Sequence, residues 1–105
     1  MYATVRRFEG VIDPQEVARR VNAGLVQLIS QIPGCLAYYW ADAGGHVMLS
    51  TSIFADRAGA AEADQRAPDW VNQNIAALLP NPPEITAGEV VAHMATRQSP
   101  DGGTT

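Results

Sequence analysis

Lysine is absent, and all seven basic residues of the 105-residue chain are arginine. Beyond the pairs Arg6-Arg7 and Arg19-Arg20 they form no cluster, and the net charge is −4. That balance argues against a nucleic-acid partner. Cysteine occurs once, at Cys35, which rules out an internal disulfide and suits a reducing cytoplasm. The two histidines, His46 and His93, stand far apart and at no metal-ligand spacing from Cys35, so no metal is expected. No stretch approaches the ~18 apolar residues of a membrane span. The opening MYATVRRFEG lacks the apolar run of a signal peptide, so the expected location is cytoplasmic, without a membrane partner. There is no glycine-rich phosphate loop, because Gly44-Gly45 marks a turn and Gly102-Gly103 a tail. No cofactor is expected. Charge is sparse too: 17% of residues are charged and 47% hydrophobic, a thin charged surface that suggests an apolar face hidden by self-association.

What is present is a readable order of elements. Tyr2 to Phe8 mixes β-branched and aromatic residues and predicts a strand, with Tyr2, Thr4, Arg6 and Phe8 on one face. Asp13 as N-cap, Pro14 at the first helical position and Glu16 closing a capping box predict a helix to about Gln31. Its apolar stripe is Val17, Val21, Leu25, Leu28 and Ile32. Gly24, in mid-helix, implies close packing on the sheet. Pro33-Gly34 ends the helix, and Leu36–Ala41, the turn DAGG and His46–Phe54 predict an antiparallel hairpin. Asp56 starts a second helix through Ala67, and Pro68 breaks or kinks it; PDW restarts it, with Pro68 near the new N-terminus and Val71, Ile75, Leu78 and Leu79 as its apolar stripe. PNPP stops that helix, and Ile85 to His93 predicts a last strand.

The order β-α-β-β-α-β is the ferredoxin-like α+β pattern, a four-stranded antiparallel sheet with two helices on one face. One domain over residues 1–95 is expected, with a disordered tail over 96–105. Both faces of the hairpin carry apolar groups, while two helices cover one face only. A homodimer paired through its sheet faces follows as an expectation.

IPGCLAYYW, VMLSTSIFADRAGA leading into a helix with Trp70, and the closing strand after PNPPEI resemble the antibiotic biosynthesis monooxygenase family. The resemblance spans Met1 to about His93 and implies a dimeric α+β barrel. It implies a small apolar or aromatic ligand between sheet and helices, and either a cofactor-independent monooxygenase or a non-catalytic ligand-binding or stress-associated dimer. A haem-binding or haem-degrading member is a further alternative; such relatives use an Asn on the first strand, a Trp, which Trp70 would match, and a haem-ligating His on the second helix. Here the first strand offers Thr4 and Arg6, and residues 56–79 contain no His.

His46, Trp70 and Asn74 are the candidate catalytic residues. His46 would be the base taking a proton from a phenol, and Trp70 or Asn74 the donor that steadies the resulting anion. Tyr38, Trp40 and Arg6 are the candidate substrate-binding residues. His46 has a structural alternative as an exposed turn residue and Trp70 as a staple over the core, while Asn72 and Asn74, about 160° apart on an ideal helix, cannot both face one ligand, and Asn74 lies next to Ile75. Arg6 would be half of an ion pair with Glu84 or Glu89. Leu36, Tyr38 and Trp40 share a face opposite to Cys35, Ala37, Tyr39 and Ala41, and either set would serve the core or the dimer seam.

Overall fold

The structure is a computed structural model and describes residues 1–96. The expected tail, apart from Thr96, lies outside the described residues. Four strands, β1 (Tyr2–Phe8), β2 (Cys35–Gly44), β3 (Val47–Phe54) and β4 (Glu84–Glu89), form one antiparallel sheet in the order β2-β3-β1-β4. The first helical rod is α1 (Pro14–Arg20), a π-helical turn (Val21–Leu25) and α2 (Val26–Ser30). The second is α3 (Arg57–Asn74), followed by a 3₁₀ turn (Ala76–Leu78). This is the predicted α+β ferredoxin-like architecture. Among the described residues no helix is long and apolar enough to cross a membrane.

Asp13 caps α1 from a left-handed backbone conformation, φ 57°, and its carboxylate accepts from the Glu16 N–H. The return bond of a capping box is not made. Glu16 instead holds Arg19 and Arg20 on the next turn, which lowers its pKa to about 2. The residues buried along the rod are Val17, Val21, Leu25 and Ile29, each four apart. In a regular α-helix every such step drifts about 40° around the axis. The π turn, in which Val26 N–H reaches the Val21 carbonyl, takes up that drift and keeps the stripe on the sheet.

Four expectations are corrected here. Pro68 does not divide the second helix, because α3 runs through it to Asn74. Leu78 falls in the 3₁₀ turn and Leu79 just after it, beyond the helix end. The last strand ends at Glu89, well before His93. A register shift between Cys35 and Ala37 is a β-bulge that pairs Cys35 with Phe54, returning Cys35 to the face of Tyr38 rather than that of Tyr39.

The face of α3 turned to the sheet is built from Gly59, Ala60, Ala63 and Ala67. Small side chains let the helix lie close to the sheet. Gly59 marks the tightest point. A Cβ there would stand 2.6 Å from Phe54 Cδ1 and 2.8 Å from the Pro33 carbonyl oxygen. The backbone oxygen has no room to yield. Gly59→Ala is expected to lower stability by about 1–2 kcal/mol despite the better helix propensity of Ala. Urea denaturation checks this, and an unchanged midpoint would mean the start of α3 is free to shift.

Candidate functional site

Strand register assembles the site. Trp40 pairs with Ser50, Ser50 with Arg6, and Arg6 with Ile85, one residue from each strand in a single row. Adjacent strands lie ~4.8 Å apart, so these side chains stand shoulder to shoulder on the helix-covered face. Phe8, two residues along β1, stacks on Trp40 with ring centroids 5.0 Å apart and an interplanar angle of 18°. The neighbouring row, Tyr38, Ser52, Thr4 and Ala87, completes the floor. Thr4, Arg6, Ser50 and Ser52 are all buried, so the centre of the covered face is polar. Thr4 Oγ1 is buried without a hydrogen-bond partner among the described residues.

Above the first row lies a cavity of about 390 Å³. Its floor is Arg6, Phe8, Tyr38, Trp40, Ser50 and Ile85, and its roof comes from Leu25, from Ala67, Pro68, Val71 and Asn72 on α3, from Ala76, and from the strap Leu79–Pro83 through all of its residues but Pro80. The strap is anchored at its middle, where Asn81 Nδ2 donates to the Glu9 carbonyl at 3.0 Å. Pro68 lacks the N–H that would reach the Asp64 carbonyl one turn earlier.

Three polar groups meet on the floor. Trp40 Nε1 donates to Tyr38 Oη at 2.6 Å. An indole N–H only donates, so the Tyr38 hydroxyl accepts that bond and keeps its own proton to give. Burial pushes the Tyr38 pKa upward, against the pull of the Trp40 bond, the Arg6 charge and Ser50. Tyr38 is therefore a neutral donor near pH 7. The Arg6 guanidinium forms an ion pair with Asp64 of α3. The expected partners, Glu84 and Glu89, are not used: Glu89 lies 3.6 Å from Arg57. Arg6 pairs upward into the helix layer, not sideways along the sheet.

Arg6, Tyr38 and Trp40 all line the cavity, and Tyr39 stands on the opposite face of the sheet. His46, Trp70 and Asn74 are not among the lining residues. His46 caps the hairpin with φ 63°; its Nδ1 lies 2.9 Å from the Val11 carbonyl, and its own carbonyl accepts from Val11 N–H. Trp70 lies flat on Gly24, where a Cβ would meet the indole at 2.9 Å. Gly24 is thus required by α3, not by the sheet. Asn74 Nδ2 donates to the Trp70 carbonyl at 2.8 Å, and its own carbonyl accepts from Arg20. Asn72, not Asn74, lines the cavity. No histidine, cysteine or methionine lines it among the described residues, so it offers haem no imidazole or sulfur ligand.

A raised tyrosine pKa has a definite sign in stability. Between the unfolded value, about 10, and the higher folded value, the native state holds one proton more than the unfolded chain. Stability fully present below pH ~10 is then lost as pH rises through the folded pKa. Tyr38→Phe should abolish this alkaline loss and the late tyrosinate absorbance. It should also cost about 1 kcal/mol at pH 7, because Trp40 Nε1 loses its acceptor. Urea midpoints from pH 7 to 11, with ultraviolet titration, check both.

No protein-family model matches the sequence, and no curated protein does. Solved structures do match. A protein of unknown function from Nitrosomonas europaea superposes with TM-score 0.72 at 26% identity, covering 91% of this chain and 94% of that one. A monooxygenase from Streptomyces coelicolor, in complex with nanaomycin D, matches with TM-score 0.71 at 16% identity over 91% and 92% of the two chains. An MhuD mutant with two manganese protoporphyrin IX bound per active site matches with TM-score 0.68 at 16% identity over 91% and 100%. With its strand order and its helices on one face, the chain has the fold of the antibiotic biosynthesis monooxygenases.

Proposed function

We propose that this protein binds a small aromatic molecule in the cavity between sheet and helices and oxidises it with O2 without a cofactor. The observation that carries the reading is the stacked Phe8–Trp40 pair flooring a cavity of about 390 Å³. A stacked aromatic pair lining a largely apolar cavity offers an aromatic ligand a surface to pack on. The bound nanaomycin D of the Streptomyces coelicolor structure supports it. In this reading the substrate is a phenol or quinol that reacts as its anion. Arg6 and the Tyr38 hydroxyl stabilise the negative oxygen, and the electron-rich ring reduces oxygen itself. One oxygen atom enters the substrate at a ring CH2 that becomes C=O. The other leaves as water with the two hydrogens, so the substrate supplies all four electrons.

A second reading, ligand binding without catalysis, is favoured by one observation. Among the described residues no His, Asp, Glu or Cys lines the cavity to act as base. Oxygen uptake separates the two. With Trp70→Phe, Trp40 becomes the sole indole, and a hydroxyanthraquinone is expected to quench its emission saturably. Anthrone-type substrates should then consume one O2 per turnover in the catalytic reading and none in the binding one. No quenching at all would remove both.

The open face of the sheet supports a homodimer. Val5, Leu36 and Tyr39 are exposed there, Tyr39 to 64%. This face is apolar where water would meet it. Tyr39→Glu is expected to convert a dimer into a monomer in sedimentation equilibrium while the circular dichroism stays unchanged. A wild-type monomer would remove the dimer from the reading.

A further inference from the structure

The charge that the aromatic reading assigns to a substrate anion is already engaged when the cavity is empty. Among the described residues Arg6 is the one charged side chain lining the cavity. Its side chain is 9% exposed, whereas that of its partner Asp64 is 52% exposed. The cation is therefore held inside and its counter-ion stands at the rim, largely in water. The guanidinium makes one hydrogen bond among the described residues, to a single Asp64 oxygen. A guanidinium has five N–H donors in a planar fork that suits two oxygens at once. Beside it, Tyr38 keeps a proton to donate, and Ser50 lies between Arg6 and Trp40 in the same row. The floor thus has donors in excess and a positive charge only partly answered. Both features call for an acceptor with negative charge.

We propose that the ligand is an aromatic molecule carrying one anionic oxygen group, and that this group binds Arg6 in place of Asp64. The proposal rests on the aromatic-cavity reading and narrows it to acids. The ring lies along Phe8 and Trp40, and the anion lies beside Ser50 at the Arg6 end of the row. Asp64 fills the role of counter-ion when the cavity is empty. It is exposed enough to return to water when an anion arrives, so releasing it costs little. A neutral isostere lacks the charge to compete with Asp64 and leaves the ion pair in place. The acceptor group is shared by carboxylates and phenolates, and the probes below distinguish them.

The test compares 2-naphthoate with 2-naphthamide, the same shape with and without charge, by isothermal titration calorimetry on the wild-type chain. Naphthoate is expected to bind about tenfold or more tightly, the worth of one hydrogen bond to a charged group. Arg6→Gln should bring naphthoate down to the level of naphthamide and leave naphthamide unchanged. Asp64→Asn keeps Arg6 and removes the competitor, and should tighten naphthoate about threefold or more. Titration of 2-naphthol across its own pKa adds the phenolate arm, tightening as the phenolate forms if that oxygen is accepted. Equal binding of both isosteres overturns the proposal and leaves the aromatic cavity standing. Binding of neither overturns both. A naphthoate preference that survives in Arg6→Gln, or weaker naphthoate binding in Asp64→Asn, overturns the proposed exchange at Arg6.

Discussion

A guanidinium buried on the inner face of a sheet must find a negative charge, and the second helix supplies it. Arg6 sits in the middle of β1, the strand between β3 and β4. It reaches 58 residues along the chain to Asp64 on α3. The Ala60, Ala63 and Ala67 side chains let that helix approach closely enough for the pair to form. That packing holds α3 in place, and the directional contact selects Asp64 as the side chain that meets Arg6. Where the alanine face gives way to Pro68, Val71 and Asn72, the layers part and the cavity opens over the Arg6 row. The hole in the core and the ion pair that flanks it have one cause.

The sheet inverts the usual division of its faces. Under the helices, its central positions are Thr4, Arg6, Ser50 and Ser52, all buried. On the side away from the helices, Val5, Leu49, Thr51, Ile53 and Tyr39 alternate with them in register. A sheet whose polar stripe faces inward and whose apolar stripe faces outward is poorly explained as a monomeric layer. The two anomalies have complementary explanations. The proposed ligand would answer the Arg6 end of the inward polar stripe, and the proposed second copy would cover the outward apolar one.

Much of this was legible in the sequence, and the failures have physical reasons. Alternation along YATVRRF gave the faces of β1 and put Arg6 with Phe8, because a strand's period is short and rigid. The pairing of Tyr38 with Trp40 and the exclusion of Tyr39 came from the same period. What assigns a face to core or seam is tertiary, and no local pattern states it. Arg6 was expected to find Glu84 or Glu89, since strand neighbours follow from topology. The reach to Asp64 depends on how low α3 sits, which depends on an alanine face whose low hydropathy hides it. Asn72 and Asn74 differ by about 160° around an ideal helix, so only one can face the cavity, and the local sequence does not fix the phase that decides which. That phase was set from a restart at Pro68, and the helix does not restart. Cys35 moved to the other face through a bulge that adds one residue to β2, and one residue is enough to invert a strand.

The same fold is seen with nanaomycin D and with manganese protoporphyrin IX, so the scaffold does not decide the ligand. The decision falls to the few side chains on the floor row. In this chain they are an indole, a hydroxyl, a guanidinium and an aliphatic group, in the order Trp40, Ser50, Arg6, Ile85. That order is a gradient across the sheet, with an aromatic surface at the β2 edge and a cation one strand from the β4 edge. A symmetric apolar ligand would gain nothing from the gradient, while an aromatic acid has the same gradient built into it. Orientation then comes from the floor rather than from the shape of the roof. The strap Leu79–Pro83, rich in proline and tied to Glu9 through Asn81, needs only to exclude water. Excluding water raises the value of the Arg6 charge to whatever anion lies beside it, so the apolar roof and the buried cation work as one device.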